Sequence, residues 1–546
     1  MFNIFLIFNF LKKKISFYFS LWKSEYKFSG GLSIPANKNN QLHLLLKPFT
    51  LPNKIFISVN NCLIRQNKLC VTVGSRVYKG SPLTLGNYQY PPVHSSISGY
   101  ISDIKIKYNE LNFDSKSTVI VVTSDKKDSI HPSSLFIKSN YKLLSKEVLI
   151  NKVYQYGIVG LGGSGFSCAN KLRSFIRYKY STLVVNAVEC EPYVISDECL
   201  IHNHINEILY ACEILVWILD IRTVLIAIED DKLKTIQVLI QALKHFPKFE
   251  LRIIPSKYPS GSSKQLIKIL FNIEILQNTH ATDIGILIHN VGTLFAVKKA
   301  IVDDIPLIER VVTITGDNVL HTTNYLIRIG TPIQHILDHV ILKSISDSQV
   351  FLGGPISGYQ VFDFNQTVSK TTNCILILRT KLKQQSLKYI RSKPCIRCSA
   401  CLEVCPIRLL PQQLYWFIKK KDYKQVRRYD IKECIECGLC EQVCPSKIKL
   451  IGYFKSAKKM IAMMDREKNR IMESKLRFQD HQKRLNICNL ELNLFTNHDF
   501  FNKNVKNPLM LKDIDVRNSH IKLQKSDIKN IIYNSIKKHK YKKNNL

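Results

Sequence analysis

The chain has 546 residues, 45% apolar and 22% charged, with a formal net charge of +37. The length excludes a single ordinary core and implies several domains. The charge would suit nucleic acid or an anionic surface, but the basic residues are spread along the chain, with no aromatic-interleaved patch and no recognised nucleic-acid motif, which argues against a nucleic-acid partner.

The N-terminal segment 1–27 opens MFNIFLIFNFLKKK, where the charges follow the apolar run and no small-residue cleavage site appears. That is not the pattern of a signal peptide. An interfacial foot on a membrane or partner is one reading, a helix packed on the first domain the other. No run reaches the roughly 20 apolar residues of a membrane span. The longest candidate, ILYACEILVWILDI from Ile208, is broken by Glu213 and Asp220.

Residues 28–135 read as strands. VTVGSRVYKGSPL followed by PPVHSSISGYI has the spacing of a lipoyl-like hairpin barrel, a barrel-sandwich domain. Such domains carry an acceptor lysine at a hairpin tip. The tip here, YPPVHSS, has none, and Lys79 stands before Gly80 in a strand turn. A structural barrel is expected, with His94 as a packing residue.

Residues 140–310 alternate apolar strands (LVVNAV, VLIAIE, ILIHNV) with helical stretches, the pattern of an α/β layer fold. One helix is expected to bury Ile236, Leu239, Ile240 and Leu243 on a single face. The segment GIVGLGGSGF, residues 157–166, spells G-x-G-x-x-G from Gly160 to Gly165. A Rossmann phosphate turn would have that spelling, and Glu189 lies at a fitting distance beyond it. Against this, KVYQYGIV makes only a weak strand before the loop, and Gly157, Gly160, Gly162, Gly163 and Gly165 are more glycines than that turn uses. Bare backbone N–H groups suit a phosphate or a flat ring, and Lys171 is placed to pair with a phosphate. Residues 311–380 are expected to form a β-grasp domain.

Of sixteen cysteines, eight fall in two identical runs. PCIRCSACLEVCP holds Cys395, Cys398, Cys401 and Cys405; ECIECGLCEQVCP holds Cys434, Cys437, Cys440 and Cys444. Both are C-x2-C-x2-C-x3-C-P. Zinc sites use C-x2-C pairs with longer spacers. Each run here supplies three thiolates to one iron–sulfur cube, and its fourth goes to the other cube, as in bacterial two-cluster ferredoxins. The spacing therefore predicts one [4Fe–4S] cluster on Cys395, Cys398, Cys401 and Cys444, and a second on Cys434, Cys437, Cys440 and Cys405, in an α-rich ferredoxin-like domain over 382–452. That domain carries 13 basic against 6 acidic residues across 391–450, a surface that would guide an acidic carrier. A charged helix is expected over 455–485. The basic tail 486–546 is expected to be disordered, with one short helix near Ile528 to Ile536.

GIVGLGGSGF, Lys171 and VVNAVECEPY (184–193) together resemble the FMN-binding fold of the NADH-oxidising subunit of respiratory complex I. The match is closer to the RnfC (RsxC) family, the peripheral subunit of the Rnf electron-transport complex. FSGGLSIPANK, KYPSGSSKQLI, HNVGT, IGTPI, GGPISG and KTTNC resemble that family in order, over about residues 1–455. The resemblance implies FMN among Gly160, Gly162, Gly163, Gly165 and Lys171, with Asn186, Glu189 and Glu191 lining the isoalloxazine side. It implies Asn290 and Thr293 at the phosphate end, and Tyr258 and Gly261 bordering the place where nicotinamide stacks. The family has a proline and a small polar residue after Gly165-Phe166; here stand Ser167 and Cys168.

The implied protein is an electron-transfer oxidoreductase subunit, peripheral on the cytoplasmic face of the bacterial inner membrane. It exchanges electrons between NADH and a ferredoxin-like carrier, beside membrane-embedded and iron–sulfur subunits of the same ion-translocating complex. A soluble NADH-dependent diaphorase subunit and a flavin-less iron–sulfur adaptor are the alternatives.

Overall fold

The computed structural model describes residues 28–34, 44–59, 63, 68–109, 112–130, 140–175, 181–275, 279–344, 348–379 and 392–504. The N-terminal segment 1–27 and the helix expected near Ile528 to Ile536 lie outside them. The chain divides into two compact units, Met1–Ile461 and Ala462–Leu546.

Strand β1 (Leu46–Pro48) precedes the barrel in sequence but belongs to a later sheet, with Leu46 parallel to Asn324. The barrel strands are β2 (Lys54–Val59), β3 (Arg76–Val77), β4 (Gly99–Asn109) and β5 (Asn112–Ser124), an antiparallel sheet in the order β2-β5-β4-β3. Alternation in KIFISV turns Ile55, Ile57 and Val59 to one face. There they meet Leu83, Ile97, Ile101, Ile120 and Val122.

The central part holds α1 (Lys146–Gln155), α2 (Cys168–Phe175), β6 (Thr182–Asn186), α3 (Ser196–Leu219), β7 (Thr223–Glu229), α4 (Leu233–Leu243), β8 (Phe249–Ile254), α5 (Ser263–Phe271), β9 (Ile286–Asn290) and α6 (Val291–Ile301). Its four strands are parallel in the order β8-β7-β6-β9. Helices cover them, which is why TLVVN, TVLIAIE and ILIHN read as continuous apolar runs. The strand order reverses between β6 and β9. Ligands of open α/β sheets bind at such a switch point, beyond the carboxyl ends of the strands. Asn186 and Asn290 are register partners at those two ends.

A third sheet is mixed. It contains β10 (Glu309–Thr315), β11 (Thr323–Arg328), β12 (Ser348–Leu352), β13 (Tyr359–Val361) and β14 (Cys374–Arg379), in the order β1-β11-β10-β14-β12-β13. Helix α7 (Ile333–His339) puts Ile333 and Ile336 into its core beside Val312, Ile327 and Ile375.

Among the described residues the cysteine-rich part has four short helices: α8 (Ala400–Glu403), α9 (Pro411–Lys419), α10 (Tyr423–Arg428) and α11 (Leu439–Gln442). Helix α12 (Leu450–Asn504) starts here and packs Leu450, Phe454, Ala457 and Ile461 onto Leu414, Val426 and Ile431. Fully burying each large apolar side chain of this kind contributes about 1.5–3 kcal/mol. The helix outruns the expected 455–485, so residues 486–504 of the expected disordered tail are helical. Neither glycine nor proline stands between Tyr453 and Asn504 to stop it. From Ala462 to Leu490 its large apolar side chains, Ile471 and Phe478 among them, are exposed.

Candidate functional site

The glycine loop lies between α1 and α2, ahead of the first strand of the parallel sheet. A Rossmann fingerprint follows its strand, so this G-x-G-x-x-G spelling is coincidental. KVYQYGIV, expected as a weak strand, is the end of α1 and the run into the loop. The loop closes on itself: Gly160 N–H donates to Phe166 O at 2.9 Å and Gly165 N–H to Gly160 O at 3.0 Å. Gly163 has φ near +100°, and a Cβ there would meet nothing within 4 Å. The loop thus presents bare backbone to open space. Ser167 bridges to Val159 just before α2, and Cys168 is the helix's first residue. Cys168 N–H donates to Ile158 O at 3.1 Å, and the Cys168 thiol is buried.

The remaining residues expected around a flavin are brought to the loop and the strand ends. Leu161 N–H donates to the Thr293 hydroxyl at 2.9 Å. A Cβ on Gly162 would lie 3.1 Å from Asn290 Cβ. Asn290 caps α6 by accepting from Gly292 N–H at 2.9 Å, and it donates to Asp197 at 2.6 Å. Lys171 donates to Ile288 O, and burial pulls its ammonium below the ordinary lysine range. Asn186 donates to Gly261 O at 2.9 Å and accepts from Val188 N–H at 3.1 Å. Gly261 cannot carry a side chain, since its Cβ would sit 2.5 Å from Val188 O. Glu189 is buried, accepting from the Ser196 hydroxyl at 2.7 Å and from Asp197 N–H at 3.2 Å. Glu191 reaches outward and accepts from Ile356 N–H at 2.8 Å and Ser357 N–H at 3.0 Å, fixing the GGPISG loop.

Tyr258 faces the cysteine-rich part. The residue is 6% exposed, packed with Val404 and Leu439, and its hydroxyl donates to Cys437 O at 2.7 Å. Other joints converge on the same loops. Gly31 N–H donates to Val404 O at 2.9 Å. A Cβ on Gly30 would lie 2.6 Å from Cys405 O, and one on Gly438 would lie 3.1 Å from Ile356. Gln265 donates to Pro406 O at 3.3 Å.

The eight cysteines line two cavities. One is lined by Cys395, Cys398, Cys401 and Cys444, the other by Cys405, Cys434, Cys437 and Cys440. Each draws three thiols from one sequence run and one from the other. Thiols spaced around a cavity suit a polynuclear cluster. Backbone N–H groups reach sulfur, from Leu409 to Cys405 at 3.3 Å and from Glu436 to Cys434 at 3.4 Å. Burial, with neighbouring thiols, pushes Cys437 up to about 11 and Cys440 further. Thiolates there require a metal's positive charge. Cys398 alone of the eight is exposed.

Residues 153–299 match the Nuo51 FMN-binding domain, residues 26–127 the RnfC barrel sandwich hybrid domain, and residues 394–448 the 4Fe-4S dicluster domain. The chain is 44% identical over 456 residues to an ion-translocating oxidoreductase complex subunit of Buchnera aphidicola subsp. Baizongia pistaciae, covering 83% of this chain and 88% of the relative. The chain belongs to the RnfC family. The equally named subunit of Buchnera aphidicola subsp. Acyrthosiphon pisum is 39% identical, over 80% of this chain and 90% of its own length. That of Edwardsiella ictaluri is 41% identical over 84% of this chain, which spans only 57% of that longer relative. As an RnfC-family member the chain is an electron-transfer oxidoreductase subunit whose cofactors are FMN and [4Fe–4S] clusters. Among the described residues no helix is long and apolar enough to cross a membrane.

Two residues at the site are not foreseen from the sequence, Arg310 and Lys370. Arg310 is buried in β10 and donates to Lys370 O, and to Leu161 O at 3.5 Å. Burial pulls its guanidinium down to about 10, although Asp197 and Glu189 lie near enough to favour the charge. An arginine inside the apolar strand ERVVTIT was the available signal.

Proposed function

We propose that this chain takes electrons from NADH at the switch point of its parallel sheet and delivers them through its cysteine-rich part to iron–sulfur and membrane-embedded subunits of an Rnf-type complex. The position is peripheral, on the cytoplasmic face of the inner membrane, with flow coupled to ion translocation and a ferredoxin-like carrier at the far end. FMN, when bound, supplies the exchange between a hydride and single electrons, and the clusters carry single electrons onward.

The protein's part is to hold and orient. Gly162 and Gly163 offer backbone N–H groups at the tip of a loop that Gly160 and Gly165 close, with Lys171 as nearby charge. Thr293 and Asn290 fix the loop through Leu161 and Gly292. Asn186, Glu189 and Glu191 set the floor of the crevice by holding Gly261, the start of α3 and the GGPISG loop. Tyr258 and Gly261 lie where the nicotinamide side meets the cysteine-rich part. Residues 311–380 are a β-grasp unit in this reading, supported by the order hairpin, helix, then three strands, and completed by β1.

The observation that carries the reading is the Tyr258 hydroxyl on Cys437 O. With Gly30 against Cys405 and Ile356 against Gly438, it ties the crevice to the Cys405, Cys434, Cys437 and Cys440 centre. That centre is the inner one. The Cys395, Cys398, Cys401 and Cys444 centre, with its exposed Cys398, is the outlet. Tagged chain expressed with the membrane subunits of the complex is expected to sediment with membranes. Recovery only from the soluble fraction, with NADH-driven cluster reduction intact, would favour a diaphorase subunit instead.

A further inference from the structure

Several buried or half-buried lysines in this chain have acidic company. Lys232 lies 2.9 Å from Glu198, Lys152 lies 2.6 Å from Asp304, and Lys299 lies 2.8 Å from Glu309. Lys370 departs from this pattern. Its stem is half-buried and its ammonium is sunk between the barrel and the glycine loop. It donates to Gly157 O at 2.8 Å and to Pro92 O at 3.4 Å, and no carboxylate faces it among the described residues. The barrel contributes His94, kept neutral by its burial, with a value of about 3. Strand β10 contributes another cation, Arg310, which donates to the Lys370 carbonyl. A buried ammonium without a counter-charge is unfavourable, so the arrangement calls for an anion.

The segment carrying Lys370 crosses both feet of the glycine loop. Lys370 Nζ is 3.1 Å from where a Cβ on Gly157 would stand, and Thr371 Cγ2 is 3.3 Å from the same point on Gly165. Between those feet lies the stretch of exposed backbone N–H groups already assigned as the cofactor's seat. Amides at the loop tip, from Gly162 to Ser164, with a sunken ammonium at the loop's base are a phosphate-binding arrangement.

We propose that Lys370 is a cofactor-binding residue lent by the connection that leads into β14 of the third sheet, supplying positive charge for the phosphate of FMN at the glycine loop. It lies outside residues 153–299, the part that matches the FMN-binding domain. The proposal rests on the FMN reading of the loop and adds a contact from another domain. Arg310 acts one step back as a positioning residue, since it fixes the Lys370 carbonyl on one side and Leu161 of the loop on the other.

The acid–base behaviour has a definite sign. Burial pulls the Lys370 ammonium down to about 8. The second ionisation of a phosphate monoester lies near pH 6, so FMN is already dianionic at pH 7. FMN affinity therefore falls as pH rises through about 8, when Lys370 loses its proton. Stability of the flavin-free chain runs the other way. Its folded value is depressed, the unfolded chain keeps the proton up to the ordinary 10.5, and the wild type gains stability over Lys370→Met as pH rises above 8.

The test measures FMN and riboflavin binding to the full chain with reconstituted clusters, from pH 7 to 9.5, for wild type, Lys370→Met and Lys370→Arg. Riboflavin has the same ring and no phosphate. Lys370→Met is expected to weaken FMN roughly ten- to a hundredfold, the loss of one charge-assisted hydrogen bond, and to leave riboflavin unchanged. Lys370→Arg keeps FMN binding and removes the fall above pH 8. Equal weakening of both ligands means a merely structural lysine and overturns the proposal, as does unchanged FMN affinity. A rise in the Michaelis constant for NADH with FMN affinity intact assigns the ammonium to the dinucleotide and also overturns it. A wild-type chain that binds neither flavin removes the FMN reading itself, whatever Lys370 does.

Discussion

Cys444→Ala is expected to remove the cluster of the first cysteine run, although Cys444 belongs to the second. The cavity that Cys444 lines is shared with Cys395, Cys398 and Cys401. Losing one of four thiolates leaves an open iron site on a cluster next to the exposed Cys398. About half of the iron and sulfide should be lost, as expected for one of two cubes of equal size. The inner centre on Cys405, Cys434, Cys437 and Cys440 should remain and still bleach under NADH. Cys405→Ala should do the reverse and disconnect the crevice as well, since Cys405 lines the inner cavity and its carbonyl lies against Gly30. Iron analysis with electron paramagnetic resonance of each variant separates the two cases. If Cys444→Ala spares the signal of the first run and removes that of the second, each run would hold its own cluster and the crossed arrangement would be wrong.

Gly163→Trp is expected to abolish flavin binding while leaving both clusters in place. A side chain starting at Gly163 meets no heavy atom within 4 Å of its Cβ, so the indole fits the chain without pushing on the core. The positive φ costs about 1–3 kcal/mol, which a domain of this size survives. The indole does fill the open space above the bare loop. FMN affinity should fall roughly a hundredfold or more. Dithionite should still bleach the clusters and NADH should not. Stoichiometric FMN on the purified variant would place the flavin elsewhere.

How far the sequence discloses this protein varies by part. The crossed cysteine sets are read from short-range spacing, and each of the two cavities is lined by one of those sets. The parallel strands were legible as apolar runs, since a sheet covered on both faces needs no alternation. The helix Leu233–Leu243 was found, with Ile236 and Leu239 buried and Leu243 packed against the core as expected, and of that face only Ile240 departs. Thr235 is buried with Ile236 and Leu239 while Ile240 is 38% exposed, because the Thr235 hydroxyl donates to Glu198 at 2.8 Å. The interleaving of domains was not legible. Leu46 pairs with Asn324, and Leu32 bridges to Tyr258, contacts set by tertiary packing that local propensity does not encode. Lys370 was invisible for the same reason: its contact with Gly157 spans 213 positions, and KTTNC alone gives no hint that its ammonium lies under the loop.

That one chain joins NADH, flavin and two clusters is tested most directly by an anaerobic absorbance spectrum of the cluster-reconstituted chain with FMN, recorded before and after NADH. Bleaching of the flavin and iron–sulfur bands together is the predicted result. Clusters that form but stay oxidised under NADH would contradict it, leaving the chain an iron–sulfur adaptor whose glycine loop is only a turn.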